Sequence, residues 1–575
     1  MWQERFKFWR EDTYFDEQTR RELRNLCDEH EIEDRFYMDL EFGTAGLRGK
    51  LGAGTNRMNR YVIRKVTQGL ADYISSEGEA LKSRGVVIAF DSRYGSKEFS
   101  REAALVLAAQ GIKAYLFEDL RPTPVLSFAV RQLHAIAGIN ITASHNAKEY
   151  NGYKLYWEDG GQIPPEHNDE IYKKIAGRQE WRGIVPAGEQ EALSSGLLTI
   201  IGAEIDHAYE EKVKELVLYP DVIREHGQEL TIVYSPLHGT GNLPVRRILA
   251  ATGFSRVHVV AEQELPDPEF PTVVNPNPET KAAFDLARRD GKKLAADLLL
   301  VTDPDADRLG AAIQDAQGEY VQLTGNQIGV ILLNYILQGK KCLGILPDKP
   351  VAIKTIVSTG LADQMAECMG CRVENVLTGF KFIAEKVKEM EQQGSGVFQF
   401  GFEESYGFLA GDFVRDKDAV IASLLLSEAA LFYKIKEGRT LLELLEEIYR
   451  QYGYYIDDQV SFTLEGKEGK QQIQGIMKRL QALQLRRLGD QDIAQIEDYT
   501  LRKGHDILQD KDYDLTLPRA DVLRYTFQSG GYAIVRPSGT EPKIKFYFSI
   551  QGTDREKAQQ TLAAVKENLL QLLEL

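Results

Sequence analysis

Residues 85–117, GVVIAFDSRYGSKEFSREAALVLAAQGIKAYLF, set the fold class. Gly85–Asp91 is an apolar, β-branched run without alternation, the pattern of a strand buried on both faces. Lys97–Gln110 predicts a helix, and Gly111 directly after it is a C-cap signal. Ile112–Phe117 predicts the next strand. Strand, helix and strand in this order mean α/β layering.

The pattern recurs down the chain. Thr231–Ser235 (TIVYS) runs through a Gly-rich turn and a helix to Val257–Val260, and Asp297–Val301 (DLLLV) closes this second unit. A third has a helix at Gly325–Gln338, a strand at Val351–Val357 and a helix at Gly360–Met369. Three similar α/β units in series are expected. The C-terminal part differs. It holds the strand-like YYIDDQVSFTL, then YAIVRPSGTEPKIKFYFSI and a last helix, where Ala558, Leu562, Val565, Leu569 and Leu572 form one apolar stripe. A smaller α+β domain is expected there, with Glu465–Asp510, rich in charge and Gln, as exposed helices and loops.

The 575 residues suit roughly three to five domains. Seventy Lys and Arg against 86 Asp and Glu leave a net charge of −16, which argues against a nucleic-acid partner. Four cysteines, Cys27, Cys342, Cys368 and Cys371, are too few for a disulfide scaffold. The CxxC of Cys368 and Cys371 lacks the second pair that a four-cysteine zinc site needs and reads as structural. The N-terminal MWQERFKFWRED lacks the apolar core of a signal peptide. The most apolar long stretch, Ala419–Ile435, is interrupted by Glu428 and Lys434 and predicts a buried core helix instead of a membrane span. A soluble, cytoplasmic enzyme with no membrane partner is the expected class.

Four segments can carry chemistry. In ITASHNAKEYNG (141–152), an apolar strand runs into a turn presenting Ser144, His145 and Asn146. Ser144 beside an imidazole is either a nucleophile or a helix cap. In TDPDADRL (302–309), Asp303, Asp305 and Asp307 alternate straight after an apolar strand. Three carboxylates this close repel unless a hard cation such as Mg2+ neutralises them. Arg308 and Gln314 stand where an EF-hand needs Gly and Glu, which excludes that motif. GFEESYG (401–407) offers Glu403 and Ser405 in a Gly-bounded loop, either a reader of sugar hydroxyls or an ordinary turn. RPSGT (536–540) offers Arg536, Ser538, Gly539 and Thr540, either a phosphate nest or a hairpin turn with a surface arginine. Arg48 in GTAGLRGK and Lys381 in LTGFKF fit a phosphate subsite or a loop charge equally.

Together and in this order, TASHN, DPDADR, the Glu-x-Ser loop and RPSGT resemble the α-D-phosphohexomutase family, in the phosphoglucomutase branch with phosphopentomutase-like members. The resemblance covers nearly the whole chain. It implies four domains around a central cleft, here 1–203, 204–316, 317–447 and 448–575, each giving one loop. It implies that Ser144 is the phosphorylated serine and that Asp303, Asp305 and Asp307, with the Ser144 phosphoryl group, bind Mg2+. Glu403 and Ser405 then resemble the sugar-hydroxyl readers, beside the Thr378, Gly379 and Lys381 loop. Arg536, Ser538, Gly539 and Thr540 resemble the loop that holds the non-reacting phosphate. Arg48, His145, Lys154, Arg308 and Lys381 resemble the charged groups around the transferred phosphoryl group, with His145 or Lys154 assisting proton transfer. Ala147 departs from the Pro common in the family's serine loop.

The implied reaction interconverts glucose 1-phosphate and glucose 6-phosphate through a phosphoserine and a bisphosphorylated sugar, with glucose 1,6-bisphosphate as activator. Pentose 1-phosphates and mannose phosphates are the alternative substrates, and a metal-dependent sugar phosphatase or a non-catalytic sugar-phosphate sensor are the competing functions. No motif speaks to oligomeric state.

Overall fold

Val86–Phe90 is buried at every position, as an unalternating apolar run requires. It lies inside a six-stranded sheet ordered Gly46–Lys50, Tyr150–Trp157, Ala137–Ile141, Val86–Phe90, Ala114–Phe117, Leu198–Ile201. The last four are parallel, and the first two add on antiparallel. The helix Arg60–Glu77 is started by Asn59, whose side chain accepts from the N–H groups of Tyr61 and Val62. It and the helix Ser96–Ala109 bury Val62, Val66, Leu70, Ala103 and Leu107 in one core with Val86, Ile88 and Ile139. Truncating a buried Leu or Ile of this core to Ala costs about 2–5 kcal/mol.

The computed structural model describes residues 2–43, 46–178, 180–464, 466–483, 485–538 and 543–573. They fall into two units, Met1–Gln322 with Gly407–Leu431, and Leu323–Tyr406 with Phe432–Leu575. The first unit holds the six-stranded sheet and a five-stranded one ordered Tyr320–Gln322, Leu309–Gln314, Leu298–Thr302, Ile232–Ser235, Val257–Val259. Its last three strands are parallel and the first two antiparallel. The same plan thus appears twice: a parallel core whose strand ends carry loops, flanked on one edge by antiparallel strands.

In the second unit, Arg372–Val376, Pro350–Thr355 and Val397–Glu403 run parallel, with the helices Gly325–Cys342, Leu361–Cys368 and Phe380–Gln393 before and between them in sequence. This is the third α/β repeat. The C-terminal part is an antiparallel sheet ordered Tyr454–Thr463, Lys543–Gly552, Gly531–Pro537, Leu523–Phe527, Gln491–Asp498, Lys503–Asp506, Lys511–Asp514. The helices Gly466–Ala482 and Arg555–Leu572 share a core with it through Ile476, Leu480, Val565 and Leu569. The apolar stripe expected at the C-terminus is this contact; Leu562 and Leu572 are partly buried beside it.

One expectation is corrected. Glu465–Asp510 contains strands as well as a helix: Arg487–Leu488, Gln491–Asp498 and Lys503–Asp506. Of the eight residues in Gln491–Asp498 only Ile493 is buried, so the strand carries almost no apolar alternation. Its pairing comes from backbone hydrogen bonds to Leu523–Phe527 and Lys503–Asp506. Among the described residues, no helix is long and apolar enough to cross a membrane.

Candidate active site

The strand Ala137–Ile141 is buried throughout and ends at the serine loop. Ser144 is buried and takes a positive φ of 53°, a region that non-glycine residues seldom occupy. Its N–H donates to Thr142 Oγ1 (2.8 Å). Ser144 Oγ donates to Asp303 Oδ2 at 2.8 Å and lies 3.2 Å from His145 Nδ1. Ser144 therefore does not cap a helix; its hydroxyl faces a carboxylate.

Asp303–Arg308 joins the parallel strand Leu298–Thr302 to the antiparallel strand Leu309–Gln314. Ligands in parallel α/β sheets gather at such carboxyl ends. Asp303 Oδ1 accepts from the backbone N–H groups of Asp307 (3.1 Å) and Arg308 (3.0 Å), so the loop ties itself. The Gly-rich turn 238–241 backs it: a Cβ on Gly239 would stand 2.4 Å from Pro304 Cα, so only glycine allows the approach. Asp305 Oδ2 accepts from Thr123 Oγ1 (2.9 Å) and Lys154 Nζ (2.6 Å). Lys154 Nζ also lies 3.3 Å from Asp307 Oδ2, and Lys417 Nζ lies 3.2 Å from the same oxygen.

The three carboxylates are buried and each offers an oxygen within 4.8 Å of the others. Asp305 Oδ1 and Asp307 Oδ1 are buried and accept no hydrogen bond from the described residues. Unpaired buried acceptors are costly, and a hard, oxygen-preferring cation would satisfy both. The donor set fits a divalent metal ion. Its electrostatics point the same way. Burial, then the Asp305 and Asp307 charges, push Asp303 well above the usual carboxylate range. Burial acts against the Asp305 charge as well, but the Lys154 ammonium and the hydrogen bonds it accepts hold Asp305 low. Burial also works against the Lys154 charge, yet Asp305 and Asp307 more than offset it and raise its pKa. Desolvation, then Arg308 and Arg48, hold His145 well below the ordinary imidazole value, so its ring is neutral.

The structure thus brings Ser144, His145, Lys154, Asp303, Asp305 and Asp307 together. Arg48 is exposed on the strand Gly46–Lys50, opposite Gly152, and donates to Asn146 Oδ1 (2.8 Å) at the serine loop. Arg308 pairs with Glu279 (2.6 Å).

The remaining sequence-predicted residues lie in the second unit, on three loops. Glu403 is buried at the end of Val397–Glu403, with Ser405 two residues on. A Cβ on Gly325 would stand 2.1 Å from the Glu404 carbonyl oxygen, so that glycine lets this loop press on a helix start. Gly379 precedes the helix Phe380–Gln393, and Thr378 Oγ1 is buried without a hydrogen-bond partner among the described residues. Lys381 holds its ammonium 4.9 Å from the Phe382 ring, and burial lowers its pKa. Arg536 is the next-to-last residue of the strand Gly531–Pro537, and the Ser538 N–H just past it donates to Lys543 O (2.7 Å) at the start of the strand Lys543–Gly552. Gly539 and Thr540 lie outside the described residues.

Two buried cations escaped the sequence reading. Lys417, in the run RDKDA before the helix Ala419–Glu437, reaches Asp307 as above. The signal was available: a charged run leading into an apolar helix is out of place unless its charges are paired. Arg93, in the turn after Val86–Phe90, donates to the carbonyl oxygen of Ser144 (2.6 Å). Its signal was an Asp-x-Arg directly after a fully buried strand.

The family models place these features in order. Phosphoglucomutase/phosphomannomutase alpha/beta/alpha domain I matches residues 39–212, domain II 207–318, domain III 324–452, and the C-terminal domain 466–568. A phosphoglucomutase of Staphylococcus epidermidis is 40% identical over 537 residues, 93% of this chain and 95% of that protein. A phosphoglucomutase of Staphylococcus aureus is 38% identical over 538 residues, covering 93% and 94%. Among solved structures, the Paramecium phosphoglucomutase parafusin in its open form matches with a TM-score of 0.68 at 19% identity, covering 93% and 96%. A phosphoglucomutase/phosphomannomutase family protein of Burkholderia thailandensis matches at 0.65 and 17%, covering 92% and 97%. At those identities the structural matches speak for the fold alone. Fold and site together define an intramolecular phosphotransferase. The chain belongs to the α-D-phosphohexomutase family.

Proposed function

We propose that this enzyme interconverts glucose 1-phosphate and glucose 6-phosphate, with Ser144 carrying the phosphoryl group and glucose 1,6-bisphosphate as intermediate and activator. The observation that carries the reading is Ser144 Oγ, 2.8 Å from Asp303 Oδ2 in a group of buried carboxylates. Relatives at 38–40% identity named phosphoglucomutase support glucose as the sugar. The four domains are 1–203, 204–316, 317–447 and 448–575, and each supplies one loop.

Phosphoryl transfer depends on positioning and charge neutralisation more than on covalent help. Asp303, Asp305 and Asp307, with the Ser144 phosphoryl group, would hold Mg2+, which when bound neutralises charge on the transferred group. In the first half-reaction the Ser144 Oγ–P bond breaks as a sugar hydroxyl oxygen bonds to phosphorus. The hydroxyl proton must leave, and Oγ must gain one. His145 Nδ1, 3.2 Å from Oγ, is the group placed to relay it. Lys154 is committed to two carboxylates and acts as a fixed positive charge. Arg48, Arg308 and Lys417 add positive charge at the same end. The second half-reaction is the reverse, with the sugar's other phosphate returning to Ser144.

Glu403 and Ser405 read the sugar hydroxyls, beside Thr378, Gly379 and Lys381. Arg536, Ser538, Gly539 and Thr540 hold the phosphate that does not react. We place the enzyme in the cytoplasm, where its four free thiols suit a reducing compartment.

A coupled assay with glucose 1-phosphate, Mg2+ and a trace of the bisphosphate tests this. Glucose 6-phosphate is expected from the wild type and none from Ser144→Ala. Full activity in that variant, or inorganic phosphate released faster than the isomer forms, overturns the reading. Comparing kcat/KM for glucose, mannose, ribose and deoxyribose 1-phosphates should rank glucose first.

A further inference from the structure

Arg93 has a side chain with no exposed surface. Its guanidinium is spent almost wholly on main-chain oxygens of one loop. Nη2 donates to the carbonyls of Ser144 (2.6 Å) and Asn146, and Nη1 to those of Ala147 (2.8 Å) and Tyr150 (3.0 Å). Four carbonyls of the segment 144–150 therefore converge on one cation. Asp91 lies 3.2 Å from Nε, and its Oδ1 accepts from Ser96 Oγ (2.7 Å) and from the Arg93 N–H (2.9 Å). The Phe270 ring stands 5.0 Å from the guanidinium carbon. The arginine is thus fixed from below and grips the loop from inside.

Carbonyl oxygens crowded together repel, and Ser144 at φ 53° adds strain. A buried guanidinium is expensive to desolvate, and the four hydrogen bonds its fork gives all go to main-chain carbonyls of this loop. A planar fork of donors suits four carbonyls; an ammonium cannot span them. A second tie grips the loop from outside, where Lys148 and the Tyr94 hydroxyl both meet Glu269 at 2.6 Å. Those groups are exposed, so this tie is weak.

We propose that Arg93 is a positioning residue of phosphoryl transfer, holding Ser144 Oγ at its distance from Asp303 by clamping the carbonyls of the serine loop. This rests on Ser144 being the phosphorylated residue. The clamp acts on the reacting oxygen, so its loss should lower kcat and leave KM for glucose 1-phosphate nearly unchanged. Misplacing a reacting atom by about 1 Å can cost roughly 100-fold.

The experiment compares wild type, Arg93→Lys, Arg93→Met and Glu269→Gln. For each, the fraction of chains phosphorylated by glucose 1,6-bisphosphate is measured by intact mass and mapped to Ser144. Then kcat is expressed per phosphorylated chain, beside KM and Tm. Arg93→Met is expected to lose about 100-fold in that kcat and Arg93→Lys about 10-fold, with KM within about 3-fold. Glu269→Gln should stay within about 2-fold of wild type. A role in stability alone would lower Tm and the phosphorylated fraction and leave kcat per phosphorylated chain at the wild-type level; that result overturns the proposal. So does a kcat/KM loss carried by KM. If Arg93→Met does not fold, Arg93→Lys decides by the same criterion. A wild type that never becomes phosphorylated at Ser144 removes the functional reading itself, a failure distinct from wild-type kcat in the arginine variants.

Discussion

The serine loop and the aspartate loop sit at equivalent places, each at the carboxyl end of a parallel strand, yet they keep their shapes by opposite means. The aspartate loop is tied by its own members, Asp303 Oδ1 accepting from the N–H groups of Asp307 and Arg308. The serine loop is held by a residue from elsewhere, with Arg93 reaching its carbonyls across 51 positions of sequence to Ser144. A self-tied loop tolerates change around it and fails when its own carboxylates change. A clamped loop fails at a distance.

The largest effects are expected at the tips, which the proposed reaction uses together. Ser144→Ala should cost at least about 1,000-fold in activity. Asp305→Asn should cost at least about 100-fold, and in a thermal melt it should abolish the Tm rise that Mg2+ gives the wild type. A variant that keeps this rise would separate the triad from the metal. Chelation should silence the wild type by a similar factor, with activity returning on adding Mg2+. Lys417→Met comes next, at about 10–30-fold in kcat/KM, since it removes one of two ammonium groups on Asp307. Wild-type kinetics would make Lys417 a structural partner only.

Gly239→Ala tests the backing of the self-tied loop. The added methyl collides with Pro304 backbone, so a loss of about 1–3 kcal/mol in stability is expected by chemical denaturation. Unchanged stability would mean that the loop shifts without cost.

The smallest effect concerns the segment that carries Lys417. Asp418 is buried, accepts from the Val420 and Ile421 N–H groups and from the Tyr209 hydroxyl, and burial pushes its pKa up to about 7. A carboxyl with a raised folded pKa binds its proton more tightly when folded. Its contribution therefore favours folding at low pH and declines as pH rises from about 4 to about 7. Asp418→Asn should flatten the fall in Tm between pH 5 and 8 by about 2–4 °C. An unchanged slope would show that this carboxyl does not titrate there.

How much of this was legible in the sequence follows from where each signal resides. Strands such as Val86–Phe90 and Leu298–Thr302 announce themselves because full burial admits only apolar residues. The strand Gln491–Asp498 does not, because its pairing is made by backbone groups that every residue has. Ser144 and the three aspartates stood out as polar residues placed where an apolar strand stops. Arg93 and Lys417 were marked only by their setting, a charge beside a fully buried strand or an apolar helix, while the oxygens that receive them lie far away in sequence.

The first unit includes Gly407–Leu431, a segment that follows 84 residues of the second, Leu323–Tyr406. That discontinuity sets an order of events at the ribosome. When residue 322 has been made, Asp307 lacks Lys417, and Tyr156 lacks Asp416, which later accepts its hydroxyl at 2.8 Å. Another 109 residues must be made before the first unit has all its parts. A nascent chain halted anywhere before Lys417 in that interval carries three buried-type carboxylates with Lys154 as their ammonium partner from the segment already made, a state that a divalent cation would stabilise before the protein is complete.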